Sequence, residues 1–541
     1  MGEAVRENAR KDRKPGHGHG AVCASRDELG PGSSGLHLAM RERGHTLSSK
    51  ESSGLKSVLV VSHSYLPSET SAALQTISLV RKLPEAGWKP IVLTVGPRWQ
   101  YLPTNKDSAG PGVTVIRTAL WRPLVTPERL SGMLGALKPG KASRDPDSQG
   151  RPLRGRGAAG RSQAGEEPGG GRPDATPRPR DLSPRTRPSR SHVRPRRNVV
   201  ASLRAAMNTL YWSLRPSDPN FLFPFFALFR GYGVAKRNRS EAVYSIGKPF
   251  SSLVAGHFLA KLLRLPHVIE FHDPWTLSVS YRGKGLAALL ERMLERCIVT
   301  SARAVIAKTR AENALLREGH PTARGDFFTV PCGFDETSLP DPETVAPPKS
   351  AVDGVCRVVH TGSLPERRSP LPFLKAVSML ATNDPDLKDR LKLIFAGRIG
   401  TFEGLSLSEW CNRLGLSATL EFRGWVDRNE LLGLMAEADV FLLIPDYGGQ
   451  IPAKVYEYLW FGRRILVVDE AASQSAQLVE RLGRGLFARS DDLDGIAETL
   501  RSLMTEARSE APYTAGDEEL RAFSSKGRAN SVAEILDSVS S

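Results

Sequence analysis

One segment of the sequence combines two glycines and a lysine at a spacing that suits the binding of a phosphate. It reads Tyr-Gly-Gly-Gln-Ile-Pro-Ala-Lys-Val-Tyr-Glu-Tyr over residues 447–458. Gly448 and Gly449 let the backbone approach a ligand and direct its N–H groups toward it. Pro452 suits the first position of a helix, which places Lys454 in the first turn. Because a cation there opposes the helix dipole, a phosphate bound by the lysine, the loop and the helix terminus would account for it.

Two further side chains of this predicted helix could complete a nucleotide site. Glu457 and Tyr458 follow Lys454 by three and four residues, so the three would lie on one helix face. A carboxylate just behind a phosphate site can accept the hydroxyls of a ribose. The alternative is a solvent-exposed helix start with a lysine unrelated to any ligand. This segment alone does not separate the two interpretations.

The positive charge of the chain is concentrated in one segment. The 541 residues carry a net charge of +17, which would suit nucleic acid or a membrane surface. Residues 138–197 hold 16 Lys and Arg against six Asp and Glu, with ten prolines, nine glycines and no aromatic residue. Such a segment cannot bury enough apolar surface to fold, so we predict a disordered insertion. The rest of the chain carries only +7, and we predict no specific nucleic-acid partner.

The cysteines and apolar runs exclude two further classes of protein. Cys23, Cys297, Cys332, Cys356 and Cys411 form no Cys-x-x-Cys pair, which argues against a disulfide framework or a zinc site. No segment approaches the roughly 20 apolar residues of a membrane-spanning helix. The start of the sequence lacks the apolar core of a signal peptide. We therefore expect a cytoplasmic protein.

Apolar runs separated by helix-like spacing predict the architecture of the chain. Residues 58–62 form a continuous apolar run typical of a parallel strand covered on both faces, and similar runs recur. Their alternation with helices predicts an α/β fold with two Rossmann-like doubly wound domains that face a cleft. The predicted segments are a disordered N-terminal extension, 1–55; a first domain, 56–335, interrupted by the insertion; a second domain, 336–510; and a C-terminal helical tail, 511–541.

A series of short motifs follows the predicted strands in order. They are Gly247–Ser252, Phe271–Trp275, Pro331–Asp335, His360–Ser363 with Arg367 and Arg368, Phe395–Arg398, Phe422–Val426, Ala438–Val440, and Lys454–Leu459 with Gly462. In this order they resemble the motifs of the family 4 glycosyltransferases, which have the GT-B fold. The first two are similar to those of a subgroup that builds bacterial surface polysaccharides.

The resemblance implies an enzyme that transfers a sugar from a nucleotide-diphosphate donor to a glycan or lipid-linked acceptor, with retention at the anomeric carbon. The first domain would bind the acceptor and the second the donor, without a cofactor, at the inner face of the plasma membrane. The implied donor site contains Gly362, Arg367, Arg368, Arg398, Gly448, Gly449, Lys454, Glu457 and Tyr458.

Fixed cations suit this chemistry because negative charge grows on the diphosphate as it leaves. Arg367, Arg368 and Lys454 are the candidates, and arginine favours bidentate contact with phosphate. The alternative for the two arginines is a solvated turn. Two Asp-x-Asp pairs resemble metal ligands, but residues 145–147 lie in the predicted insertion and residues 384–386 in a proline turn. We therefore predict no metal site.

His272 and Asp273 are the candidate catalytic residues. They follow the predicted strand 267–271, and the carboxyl ends of such strands face the cleft of a doubly wound fold. Either side chain could bind a sugar hydroxyl or take part in proton transfer. The alternative is that His272 caps the following segment and that Asp273 begins the turn at Pro274.

Gly449 departs from the resemblance, because many family members have a glutamate there in addition to the one that Glu457 matches. Two other functions therefore remain open. One is a nucleotide-sugar epimerase of the same fold, and the other is a non-catalytic protein that binds a sugar nucleotide.

An aromatic cluster suits peripheral contact with an anionic membrane. It contains Trp212, Phe221, Phe223, Phe225, Phe226 and Phe229, close to Arg230, Lys236 and Arg237. The alternative is that these rings pack into the core of the first domain.

Overall fold

The computed structural model describes residues 54–68, 70–100, 109–119, 218–341, 344–345, 350–471, 473–506 and 518–541. The predicted insertion, 138–197, and Trp212 lie outside these residues. So does the predicted N-terminal extension, apart from residues 54 and 55.

Seven parallel strands form the first sheet in the order β3-β2-β1-β4-β5-β6-β7. Successive strands run outward from β1 to β3, and β4 then pairs with the other side of β1. This reversal opens a crevice at the carboxyl ends of the strands, where doubly wound folds bind ligands. The strands are β1 (Lys56–Val61), β2 (Trp88–Val95), β3 (Thr114–Thr118), β4 (Ala242–Gly247), β5 (His267–Phe271), β6 (Ala304–Ala307) and β7 (Asp326–Thr329).

Helices cover both faces of this sheet. Three of them, α2, α3 and α4, pack side by side on one face through two apolar clusters. The other face is covered by α1 and by the last helix of the chain. The first five helices are α1 (Ser71–Lys82), α2 (Phe223–Arg237), α3 (Ser251–Leu263), α4 (Gly285–Ser301) and α5 (Arg310–Gly319).

Six parallel strands form the second sheet in the order β10-β9-β8-β11-β12-β13. Alternate residues of its central strands enter two apolar clusters, one on each face, which helices complete. The strands are β8 (Cys356–Thr361), β9 (Leu391–Ala396), β10 (Leu420–Gly424), β11 (Val440–Leu443), β12 (Arg464–Asp469) and β13 (Gly485–Arg489). Two doubly wound α/β sheets are therefore present, which confirms the predicted fold class.

The remaining helices belong to the second half of the chain. They are α6 (Ser350–Asp353), α7 (Leu371–Asn383), α8 (Leu387–Arg390), α9 (Leu407–Arg413), α10 (Arg428–Ala436), α11 (Lys454–Trp460), α12 (Gln474–Arg481), α13 (Leu493–Glu506), α14 (Glu518–Arg521) and α15 (Ser525–Ser540). Within the described residues, no helix is long and apolar enough to span a membrane.

The last helix, α15, returns to the first domain. Val532 and Leu536 are fully buried in a cluster with Leu79 and Val80 of α1. The segment 511–541 was predicted as a helical tail, and its periodicity gave no sign of where it would pack. Its apolar face completes the core of the first domain.

A buried ion cluster fixes this arrangement. Arg528 of α15 places Nη2 2.5 Å from Glu270 Oε1 and Nη1 3.0 Å from the carbonyl of Gln75. Lys308 Nζ lies 2.6 Å from the same Glu270 oxygen, and the Tyr244 hydroxyl donates to the other. Burial alone would raise the pKa of Glu270, but the charges of Arg528 and Lys308 hold it well below its usual value. A buried carboxylate needs such partners because it has lost its hydration.

We expect Arg528→Met to lower the free energy of unfolding by about 3 kcal/mol, because it removes one partner of a buried ion pair. Arg521→Met serves as the control, since Arg521 is exposed on the adjacent α14, and it should change stability by less than about 0.5 kcal/mol. Chemical unfolding measures both. Equal stability of the two variants would show that Lys308 alone compensates Glu270.

Candidate active site

The predicted phosphate-binding segment lies between β11 and β12 of the second domain. The sequence predicts that this helix begins at Pro452. The helix α11 begins two residues later, at Lys454. Gly448 and Gly449 precede it in a loop, and the Gly448 carbonyl accepts a hydrogen bond from the Gln474 N–H. Pro452 therefore lies in the approach to the helix, and the lysine occupies the first helical position.

Lys454 reaches the end of β8. Its Nζ lies 2.6 Å from the Thr361 carbonyl oxygen and 3.0 Å from His360 Nε2. His360 Nδ1 lies 2.9 Å from the carbonyl of Leu442, so that nitrogen carries the proton and Nε2 accepts from the lysine. Burial, reinforced by the charge of Arg368, lowers the pKa of Lys454 well below its usual value. An anion placed here would favour the charged lysine.

Two glycines keep the space above Lys454 open. Gly362 has φ +89°, and a Cβ there would lie 3.7 Å from Lys454 Nζ. Gly397 has φ +139°, and a Cβ there would lie 2.2 Å from the Gly362 carbonyl oxygen. Larger residues do not fit where these strand ends meet. Arg398 is exposed beside them, and its side chain makes no hydrogen bond or ion pair with the described residues.

Arg367 and Arg368 converge on a carboxylate that sequence reasoning missed. Arg367 donates from Nε and Nη2 to Asp446, the second contact at 2.5 Å, although 61% of its side chain is exposed. Arg368 is 15% exposed, and its Nε lies 3.6 Å from Asp446 Oδ1. Its Nη2 lies 3.2 Å from Gln450 Oε1. The only sequence signal for Asp446 was its place just after β11.

The electrostatics of this group reflect mutual compensation. Burial would raise the pKa of Asp446, but the hydrogen bond from Arg367 and the charge of Arg368 hold it below its usual value. Burial lowers the pKa of Arg368, and Asp446 opposes that shift. Asp446 therefore pairs with both arginines as an external anion would.

Glu457 and Tyr458 differ in accessibility. Glu457 is partly exposed and accepts a hydrogen bond from Arg428 Nη2 at 2.9 Å. The Tyr458 ring is fully buried, with its centroid 4.0 Å from that of Phe441. Its hydroxyl accepts from the Thr361 N–H at 2.9 Å. Direct contact of Tyr458 with a donor is therefore wrong as a prediction, because the residue fills the core and holds the end of β8.

The two predicted catalytic residues point in different directions. The His272 side chain is buried, and its Nε2 lies 3.2 Å from Glu270 Oε1. Burial and then the charge of Lys308 lower its pKa to about 4, so the ring is neutral near pH 7. Asp273 is only partly buried and lies 3.3 Å from Lys248 Nζ. Of the two, Asp273 is the one that faces the second domain.

Three hydrogen bonds join the loop 446–450 to the first domain. Gln450 Nε2 donates to Asp273 Oδ1 at 3.3 Å. The Thr309 hydroxyl donates to the Gly449 carbonyl at 2.7 Å. The Tyr447 hydroxyl donates to Glu312 Oε1, also at 2.7 Å. The same loop that carries Asp446 therefore connects the two domains.

Glu312 is a second residue that sequence reasoning missed. A Cβ at Gly449 would lie 2.8 Å from the Tyr447 ring, so a larger residue there would require this ring to shift. A carboxylate is nevertheless close by, because the Tyr447 ring directs its hydroxyl to Glu312. The Thr309-x-x-Glu312 capping pattern after β6 predicts a helix start, but not that its glutamate meets the other domain.

Burial dominates the electrostatics of Glu312. The residue is 3% exposed, and its Oε2 has no hydrogen-bond partner among the described residues. Burial raises the pKa of Glu312 to about 7. The hydrogen bond from Tyr447 lowers this pKa in part, and the negative charge of Asp273 raises it further. This carboxyl therefore titrates near physiological pH at the contact between domains.

The Asp-x-Asp pair at 384–386 has a structural use. Asp384 lies 2.6 Å from Arg390 Nη2, and Asp386 precedes α8. Residues 145–147 lie outside the described residues. Among the residues that are described, no three His, Cys, Asp or Glu side chains are grouped as metal ligands would be.

We expect the stability difference between wild type and Glu312→Gln to depend on pH. Because folding raises this pKa from its usual 4.5 to about 7, the carboxyl contributes fully below pH 4.5, and the contribution is lost as pH rises through 7. Wild type should lose up to about 3 kcal/mol relative to the variant across that range. Unfolding at several pH values measures it. The control is Glu318→Gln, at an exposed glutamate on the same helix. If the difference in unfolding free energy from wild type is independent of pH for both variants, the pKa assigned to Glu312 is wrong.

Two family models match the chain in sequence order. The glycosyl transferase 4-like domain matches residues 153–333, and the model of glycosyl transferases group 1 matches residues 349–523. The first match begins within the segment 138–197 that was predicted to be an insertion. A comparison with curated proteins finds no match.

Solved structures share the fold. Sucrose-phosphate synthase from Thermosynechococcus elongatus is similar with a TM-score of 0.54 and 13% identity, over 90% of this chain and 99% of that one. The N-terminal domain of trehalose-6-phosphate phosphatase from Candida albicans has a TM-score of 0.52 and 10% identity, over 91% and 99%. At these identities the likeness shows the arrangement of two Rossmann-like domains and leaves the substrates open. Since the two family models together extend over both domains, the chain belongs to the family 4 type of GT-B glycosyltransferases.

Proposed function

We propose that this glycosyltransferase transfers a sugar from a nucleotide-diphosphate donor to a glycan or lipid-linked acceptor in surface polysaccharide synthesis, with retention at the anomeric carbon. The observation that carries the proposal is Lys454, whose partly buried amino group lies against His360 Nε2 and the Thr361 carbonyl and has no ion pair with a carboxylate among the described residues. A diphosphate would supply the missing negative charge.

The cations stabilise the leaving diphosphate. Negative charge grows on it as the bond to the sugar breaks, so preorganised cations lower the barrier to transfer. Arg367 and Arg368 pair with Asp446. The donor displaces that carboxylate and takes over both guanidinium groups.

Glu457 suits the ribose of the donor. Its carboxylate is partly exposed on α11, in the turn that follows Lys454, and Arg428 orients it. A carboxylate so placed accepts two vicinal hydroxyls, since it has two acceptor oxygens. Tyr458 acts indirectly, because it holds Thr361 at the end of the strand that carries Gly362.

The first domain presents Asp273 to the sugar and the acceptor. Asp273 lies at the carboxyl end of β5 and already contacts Gln450 across the cleft. As a carboxylate it can accept a hydrogen bond from a sugar hydroxyl. The neutral His272 ring is turned toward Glu270, and the residue positions the backbone next to Asp273. The backbone nitrogen of His272 lies 2.5 Å from the carbonyl oxygen of Gly247. No feature of the described residues favours an epimerase. The argument for a non-catalytic protein was the glutamate missing at position 449, and Glu312 weakens that argument because its carboxylate lies close to Gly449.

Nucleotide binding tests the proposal. Lys454→Ala and Glu457→Gln should each lower the affinity for nucleoside diphosphates by roughly tenfold to a hundredfold, since a charge-assisted hydrogen bond contributes about 1.5–3 kcal/mol. Calorimetry with a panel of nucleoside diphosphates measures this. Lys388→Ala, at an exposed lysine elsewhere in the second domain, is the control and should bind as wild type does.

Turnover separates catalysis from binding. The double variant Arg367→Ala, Arg368→Ala should lower kcat more than it raises KM, because the phosphate charge is largest in the transition state. The wild-type rate should survive a strong chelator. Folded variants with unchanged affinity and turnover would disprove the assignment of the site, and activity restored only by a divalent ion would disprove the metal-free mechanism.

A further inference from the structure

The exposed apolar side chains of the described residues are concentrated on one surface. Sixteen large apolar side chains are exposed, and eleven of them lie on α2, on α3, on α4 or just before α2 and α4. Because these three helices pack side by side on one face of the first sheet, their outward sides form a single surface, which we call the α2–α4 face. Soluble monomers rarely expose apolar groups in such a concentration without a partner.

The helix α4 is apolar on both sides. Its inner side buries Ile298 and Val299 in the core. Its outer side carries Leu286, Leu289, Leu290 and Met293, at helical spacing and with 50–60% of each residue exposed. A helix that needed only to cover the sheet would have polar residues on its outer side.

The neighbouring helices extend this apolar surface. Phe225 and Phe229 are 58% and 74% exposed on α2, and their ring centroids are 5.0 Å apart. Phe258 and Leu262 are exposed in the same way on α3. Of the aromatic cluster, Phe223 is therefore buried in the core, as one interpretation predicted, whereas Phe225 and Phe229 face solvent.

All exposed charges on the three helices, and on residues 279–284 before α4, are positive. The only acidic residues in these segments, Glu291 and Glu295, are buried and accept hydrogen bonds from Tyr281 and Thr276. The eight exposed cations in these segments are Arg230, Lys236 and Arg237; Lys261; and Arg282, Lys284, Arg292 and Arg296, and Arg264 adds another directly after α3. Apolar side chains bordered only by positive charges are complementary to a partner that has an apolar layer edged by negative charges.

We propose that the α2–α4 face docks on the surface of an anionic lipid bilayer, with its apolar side chains at the level of the headgroups and its cations against lipid phosphates. Interfacial helices bind membranes by this combination of buried apolar area and attraction to anionic lipids. A second copy of the chain is a poor fit, because a symmetric contact would bring cations against cations.

Docking by this face would place the cleft near the bilayer. The apolar residues Leu286 to Met293 belong to the first half of α4, which follows β5 and Asp273 and therefore starts at the cleft edge of the sheet. A lipid-linked acceptor could then reach the cleft without leaving its membrane. The docking proposal concerns a surface apart from the donor site and does not depend on the identity of the donor.

Vesicle sedimentation tests the proposal. The full chain should bind vesicles of phosphatidylcholine mixed with phosphatidylglycerol, bind phosphatidylcholine alone weakly, and bind less as salt rises. Each cation near an anionic surface contributes about fivefold to partitioning, so Arg282→Gln, Arg292→Gln and Arg296→Gln combined should lower it at least tenfold. Leu289→Gln, Leu290→Gln and Met293→Gln combined should do the same, because they remove the buried apolar area.

Matched variants elsewhere serve as controls. Leu74→Gln removes an apolar side chain that is 49% exposed on α1, on the opposite face of the sheet. Lys388→Gln, Lys392→Gln and Arg501→Gln remove three exposed cations from the second domain. Both controls should partition as wild type does. Melting temperature and nucleoside-diphosphate affinity should be unchanged in all variants, so a failure here is distinct from a failure of the donor site.

Three outcomes would overturn the proposal. Wild type could fail to bind anionic vesicles, or the control variants could lose binding as much as the α2–α4 variants do. The third is a dimer in light scattering that the apolar triple variant converts to a monomer, which would assign the face to a second copy of the chain.

Discussion

The cleft brings three cationic side chains together with one carboxylate, Asp446, to compensate them. Lys454 is the centre of this arrangement, because its partly buried amino group faces a neutral imidazole and a carbonyl and has a positive charge, Arg368, nearby. Burial and that positive charge both disfavour the ammonium form, so we expect a bound phosphate to favour it. The surrounding residues preserve the space: Gly362 leaves it open, and Tyr458 fixes the strand end below it.

One loop couples this charge to the arrangement of the two domains. Asp446 compensates Arg367 and Arg368. Three of the next four residues bond to the first domain, namely Tyr447 to Glu312, Gly449 to Thr309 and Gln450 to Asp273. A diphosphate that displaces Asp446 therefore acts on the same loop that bridges the cleft. The helix α15 adds a second connection, because Arg528 ties the end of the chain to Glu270 behind His272. The proposed donor site and the contact between domains thus share a small set of polar groups.

Sequence reasoning predicted what depends on local pattern. Buried parallel strands are visible in the sequence as apolar runs, and Pro452 and Lys454 indicated the start of α11 to within two residues. Asp446 and Glu312 were missed because their partners are distant in sequence and only the tertiary fold brings them together. Tyr458 was misplaced because helical spacing says which residues share a side, but not that its ring would enter the core against Phe441. The orientation of the His272 side chain could not be predicted either, because it depends on Glu270, Lys308 and a helix from the end of the chain.

The proton balance of nucleotide binding tests the central claim most directly. If a diphosphate favours the ammonium form of Lys454 and so raises its lowered pKa, binding takes up protons, and the heat of titration then varies with the ionisation enthalpy of the buffer. Comparison with Lys454→Met isolates this residue from the other titrating groups. The account predicts proton uptake in the wild type that is absent in the variant. Equal proton exchange in both proteins, with binding retained, would contradict it.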